Sequence, residues 1–143
     1  MGTVACYLDT NILVALLTPE PFSERADTFF PKQFRAADRQ RFRRRRIFFR
    51  YGPAGAHARN TVEQAGISLS GFDEWVVRTA DRVEIATSNV ALATTYIRRL
   101  DLTLRTPDAL HIAIARRLDA TLVTFDHGMA SAARALGIAV ATP

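Results

Sequence analysis

Apolar residues along this chain fall into short runs of β-branched and aromatic side chains alternating with longer stretches of helical period. The first run ends in Ala5-Cys6-Tyr7-Leu8 and is followed at once by Asp9-Thr10-Asn11. A buried strand over 3–8 is expected, then a helix over 12–18 with Leu13, Ala15, Leu16 and Leu17 as apolar content. Pro19 and Pro21 break that helix, and Ser23 opens a short second one over 24–30. After residue 60 the pattern predicts helices over 61–68 and 71–80, separate or continuous, and a strand over 83–86. A helix over 88–100 should place Val90, Ala93, Ile97 and Leu100 on one apolar face. Thr106-Pro107 is a strong helix start, and residues 107–118 are apolar nearly all round, so that helix should pack deeply. A strand over 121–125 closes on Asp126-His127-Gly128. A helix over 129–136 follows, punctuated by Gly137, and then a last strand over 138–140. Strands that alternate with helices argue an α/β fold with a small parallel sheet covered on both faces.

The length of 143 residues suits a single domain with its own core. The hydrophobic fraction of 48% and charged fraction of 23% are ordinary for a globular chain. The lone cysteine, Cys6, sits within an apolar strand and reads as a small core hydrophobe. Asp9 and Asn11 interrupt the pattern a signal peptide needs. No apolar run approaches the ~20 residues that span a bilayer. The expectation is a cytoplasmic protein without a membrane segment.

The net charge of +5 first suggests a nucleic-acid partner. Its distribution changes that reading. Residues 31–60 carry nine arginines and Lys32 against Asp38 alone, a net of +9. The rest carries nine arginines against thirteen acids, a net of −4. The basic window includes Arg41-Phe42-Arg43-Arg44-Arg45-Arg46-Ile47-Phe48-Phe49-Arg50 and shows neither the helical nor the strand period. It reads as a solvated basic loop, as an RNA-binding arm with arginine for phosphate and phenylalanine for stacking, or as a segment foreign to the domain around it.

Candidate chemistry rests on aspartates. Asp9 and Asp126 stand at the carboxyl ends of two expected strands, where α/β sheets bind ligands, and Asp108 stands in the first turn of a helix. Carboxylates are hard oxygen donors suited to Mg²⁺ or Mn²⁺, and paired ions of this kind support phosphodiester cleavage. Each acid also has a plain structural role open to it. Asp9 can cap a helix, Asp108 can complement a helix N-terminus, and Asp126 can build a turn. Asn11 and Thr124 are candidate supporting groups. His111, one turn beyond Asp108, reads as a packed, hydrogen-bonded histidine rather than a ligand. No zinc pattern and no glycine-rich phosphate loop is present.

Tyr7-Leu8-Asp9-Thr10-Asn11, Arg105-Thr106-Pro107-Asp108-Ala109-Leu110-His111-Ile112-Ala113 and Leu122-Val123-Thr124-Phe125-Asp126-His127-Gly128-Met129-Ala130 together resemble the PIN-domain family, specifically VapC-type toxins of bacterial toxin–antitoxin pairs. The resemblance covers about 1–30 and 61–143. It implies a three-layer α/β fold and Mg²⁺- or Mn²⁺-dependent endoribonuclease activity. It also implies restraint by a cognate antitoxin, an RNA substrate and a homodimer. Phe29, Phe30 and Trp75, read as exposed apolar residues, are candidates for a groove that takes a partner helix. By resemblance Asp9, Asp108 and Asp126 are metal ligands, with Asn11 and Thr124 supporting the catalytic site. The family pattern also expects a glutamate on a helix after a second strand, between about 35 and 58, where this chain has no glutamate. The window therefore lacks one of four acidic positions and is expected to lack a strand. Its composition matches GC-rich coding DNA read out of frame, and a one-base shift permits an apolar strand and a helix with a glutamate. A peptide mass map across 31–60 distinguishes the two sequences. With the arginine-rich window in place, the expectation is a weakened core and an impaired site. The alternatives to a nuclease are a PIN-like module that binds RNA or an antitoxin without turnover, and a phosphatase-like or receiver-like domain. The last fits the aspartate spacing less well.

Overall fold

The computed structural model describes residues 5–17, 21–29, 47–49 and 62–143. In chain order the elements are β1 (Cys6–Leu8), α1 (Thr10–Leu17), α2 (Ser23–Phe29), β2 (Ile47–Phe49), α3 (Val62–Thr79), β3 (Asp81–Arg82) and α4 (Thr87–Ile97). A 3₁₀ turn at Leu100–Leu102 precedes α5 (Thr106–Arg117), β4 (Thr121–Val123), α6 (His127–Ala135) and β5 (Val140–Ala141). The strands form one parallel sheet in the order β3-β2-β1-β4-β5. From β1 the chain builds outward through β2 and β3 on one side, then returns to build β4 and β5 on the other. The reversal of strand order lies between β1 and β4.

The strand period of two sorts the core into two layers. Tyr7 and Leu122 belong to one hydrophobic cluster, with Ala93 and Tyr96 of α4, the buried face of α5, and Met129, Ala132 and Ala133 of α6. Cys6, Leu8 and Val123 belong to the other, with Ile12, Leu13 and Leu16 of α1, Ala26 of α2, and Phe72 and Trp75 of α3. This is the three-layer α/β arrangement, and Cys6 is the buried core residue expected of it.

The expectation that the arginine-rich window lacks a strand is corrected. Ile47–Phe49 pairs in parallel register with Cys6–Leu8 and bridges β1 to β3. β-branched and aromatic residues favour a strand, and this one fills the edge that β1 would otherwise leave open. The other expectations about residues 31–46 and 50–60 lie outside the described residues, as does Phe30.

Three more readings change. The two helices over 61–80 are one helix of 18 residues, α3, despite Gly66 and Gly71. Burial of Phe72 and Trp75 on one side holds it together. Trp75 is therefore a core residue and Phe29 is half-buried, so neither is the exposed apolar group the sequence suggested for a partner groove. The strand over 83–86 is displaced to Asp81–Arg82. On α4, Val90 is 51% exposed and Leu100, in the 3₁₀ turn beyond the helix, is 87% exposed. The buried face is Asn89, Ala93 and Tyr96. Asn89 sets that rotation: its Oδ1 accepts from the Ala86 amide at 3.0 Å and its Nδ2 donates to the Ala113 carbonyl of α5 at 3.2 Å.

α5 follows its sequence signal closely. Pro107 sits in its first turn, and Ala109 and residues 111–115 are buried. Gly137 takes a left-handed φ of +75°, the conformation a chain needs just past a helix end.

Candidate functional site

The register of β1 against β4 places Leu8 opposite Val123. The next residues, Asp9 and Thr124, therefore emerge side by side at the carboxyl end of the two central strands. This is the point where strand order reverses, the crevice where sheets of this kind bind ligands. The Asp9 amide donates to the Val123 carbonyl at 3.0 Å, carrying the pairing one residue past the strands.

Asp9 is 3% exposed, and its carboxylate is gripped from two sides. Thr124 Oγ1, fully buried, donates to Asp9 Oδ2 at 2.9 Å. Thr124 Oγ1 in turn accepts from the Asp126 amide at 3.0 Å. Because its lone pair takes that N–H, the hydroxyl proton is free for the carboxylate. On the other side His111 Nε2 lies 3.6 Å from Asp9 Oδ1, and His111 Nδ1 is 2.8 Å from the Tyr7 hydroxyl. The plain reading of Asp9 as a side-chain helix cap is thereby displaced. His111 is the packed, hydrogen-bonded histidine that the sequence suggested.

Asp126 does cap a helix: its Oδ1 accepts from the Met129 amide at 2.8 Å at the start of α6. A Cβ at residue 128 would lie 3.2 Å from that Oδ1, so glycine there gives the cap room. One carboxylate oxygen is committed to the cap. The other remains for further chemistry.

Asp108 reaches the same edge by topology. α5 feeds β4 through a tight turn and runs back along the sheet, so its N-terminus lies at the strands' carboxyl end. Asp108 is in its first turn and is half-buried. Burial pushes its carboxyl above the ordinary aspartate range, the charge of Asp126 and more weakly that of Asp9 add to the shift, and the Arg105 backbone and side chain oppose it. Three aspartates separated by up to 117 positions thus share one electrostatic environment. Asn11 is exposed on the first turn of α1, and the grip on Asp9 comes from Thr124 and His111 instead.

Among the described residues no three His, Cys, Asp or Glu side chains close into a group that could hold a metal ion. The donor type fits Mg²⁺ or Mn²⁺. The spacing is more open than a preassembled three-ligand cage.

Sequence reasoning singled out the three aspartates and Thr124 but not Tyr7, whose hydroxyl meets His111 beside Asp9. The available signal was a tyrosine in a central strand, whose hydroxyl must find a partner when buried. His111, on the buried face of α5, is such a partner.

Comparison with known proteins bears on the family and the fold. The model of the PIN domain family matches residues 56–135, a stretch that contains Asp108, Thr124 and Asp126. Ribonuclease VapC47 of Mycobacterium tuberculosis (strain CDC 1551 / Oshkosh) is 27% identical over 146 aligned residues, covering 96% of each chain. Among solved structures, VapBC2 from Rickettsia felis, bound to a DNA fragment from its promoter, superposes with a TM-score of 0.64 at 15% identity. That match covers 97% of this chain and 98% of the other. FitAB bound to an IR36 DNA fragment gives 0.65 at 17% identity, covering 96% and 94%. FitAcB from Neisseria gonorrhoeae gives 0.60 at 19% identity, covering 94% and 95%. The structural likenesses establish the fold. With the match of the family model over more than half of the residues, they place this chain in the PIN domain family.

Proposed function

We propose that this chain is a VapC-type toxin: an endoribonuclease that cleaves RNA phosphodiester bonds with Mg²⁺ or Mn²⁺ and is held in check by a cognate antitoxin. The observation that carries the reading is the meeting of Asp9 with Thr124 and Asp126 at the reversal of strand order, with Asp108 in electrostatic reach. The similarity to Ribonuclease VapC47 over nearly the whole chain supports the activity. The VapBC and FitAB assemblies among the structural neighbours support a protein partner. A homodimer and a cytoplasmic location belong to the same proposal. Among the described residues no helix is long and apolar enough to cross a membrane.

In this reading Asp9, Asp108 and Asp126 would hold the cation, which would supply Lewis-acid activation and charge stabilisation for phosphodiester cleavage. The protein's own part is orientation. Thr124 fixes the Asp9 carboxylate plane and ties it to the start of α6. The half-buried Asp108 carries charge in a place that disfavours it, so a bound cation would relieve repulsion there.

The test is cleavage of single-stranded RNA by the purified chain with Mg²⁺ or Mn²⁺, with excess EDTA, and by Asp9→Asn. The reading expects cleavage that EDTA abolishes and Asp9→Asn lowers by at least about 100-fold. Cleavage indifferent to both contradicts it. A second reading, a PIN-like module that binds RNA or an antitoxin without turnover, is favoured by one observation: residues 31–60 contain no glutamate where the family resemblance calls for one. Tight RNA or antitoxin binding without products in any metal would select it.

A further inference from the structure

We propose that Tyr7 and His111 form a relay that positions the Asp9 carboxylate, so that both are positioning residues of the site. The inference rests on the reading of Asp9 as a functional carboxylate. It starts from where the protons must lie. Tyr7 is fully buried and His111 is 7% exposed, and the Tyr7 hydroxyl is 2.8 Å from His111 Nδ1. His111 Nε2 faces Asp9 Oδ1 at 3.6 Å, longer than a hydrogen bond but close for a dipole facing a charge. A neutral imidazole carries one N–H. If it sat on Nδ1, the bare Nε2 lone pair would face a carboxylate inside the core. If it sits on Nε2, the Tyr7 hydroxyl donates to Nδ1 and the N–H points at Asp9. Both contacts select the Nε2–H form.

The two sides of Asp9 are then symmetric in logic. The Asp126 amide donates to Thr124 Oγ1, whose proton goes to Oδ2. Tyr7 donates to His111 Nδ1, whose Nε2–H points to Oδ1. Oδ2 receives a hydrogen bond from Thr124, and Oδ1 faces the His111 nitrogen at 3.6 Å, beyond hydrogen-bond length. The rotation of the carboxylate is fixed by β4 on one side and by α5 on the other. A group at this place orients a ligand by holding it, as the partners of ligating residues do elsewhere.

The first experiment is the ¹⁵N-resolved histidine spectrum of the full chain without metal or RNA, in wild type and in Tyr7→Phe. The expected result is a protonated Nε2 at His111 in the wild type, with an Nδ1 signal that moves in Tyr7→Phe. A bare Nε2 overturns the proposal, as does an Nδ1 signal unmoved by Tyr7→Phe. The second experiment compares RNA cleavage and thermal melting for His111→Leu, His111→Gln and Asp9→Asn. Glutamine can present an N–H near the Nε2 position, and leucine cannot. His111→Leu should lose about 10- to 100-fold in cleavage, and His111→Gln should recover most of it at a similar melting temperature. Equal loss in both variants at equal stability overturns the relay. If Asp9→Asn cleaves like wild type, the nuclease reading itself fails. If Asp9→Asn is inactive while His111→Leu cleaves like wild type, only the relay fails.

Discussion

Asp108 is a residue whose charge the fold disfavours. Burial first, then the charge of Asp126, raise its carboxyl above the usual range. A raised acid binds its proton more firmly in the folded chain than in the unfolded one. Its ionisation therefore costs stability as pH rises from the unfolded value through the folded one, and costs nothing below both. Asp108→Asn should melt above wild type at neutral pH, with the gain shrinking toward zero below about pH 4, while RNA cleavage is lost. Melting curves across pH check both halves, and a variant less stable at neutral pH contradicts the assignment. Thr124 makes the opposite kind of contribution. Thr124→Val keeps the volume but strips two buried bonds, one given to Asp9 and one accepted from Asp126. It should cost about 1–3 kcal/mol, read by denaturant unfolding, and lower cleavage as well. Thr124→Ser should retain most of both.

At the scale of elements, the sequence disclosed periods better than partners. α5 was legible because Pro107 marks its start and its apolar surface is nearly continuous. β1 and β4 were legible because each is a short apolar run that ends near a carboxylate. The face of α4 was legible only in part: Ala93 is buried and Ile97 packs against the core, while Val90 and Leu100 are exposed. Val90, Ala93, Ile97 and Leu100 satisfy the helical period, yet the helix ends at Ile97 and turns Asn89 inward instead. A polar residue was chosen over valine because it satisfies two backbone groups that no apolar side chain could, the Ala86 amide and the Ala113 carbonyl. Asn89→Ala should cost about 1–3 kcal/mol, or roughly 3–10 °C in Tm. A variant as stable as wild type would show that these two bonds contribute nothing net. The Thr124–Asp9 and Tyr7–His111 bonds were hidden for a related reason. They join residues 115 and 104 positions apart, and only strand register and helix packing bring such residues together.

At the scale of the molecule, sheet topology brings separated acids to one edge of the sheet. The order β3-β2-β1-β4-β5 puts the ends of β1 and β4 side by side, and the return of α5 brings Asp108 to the same edge. The +9 window read as a solvated loop, an RNA-binding arm or a foreign segment; its described residues, Ile47–Phe49, form a strand between β1 and β3. In the proposed function Asp9, Asp108 and Asp126 act as a single cation site. Titration of the ¹⁵N-labelled chain with Mn²⁺, following paramagnetic loss of amide signals, tests this. Signals near Asp9, Asp108 and residues 124–126 should vanish first and together, and Asp9→Asn should weaken the effect at all three. Loss at one aspartate alone, or at surface acids such as Glu74 and Asp101 before these, would contradict it.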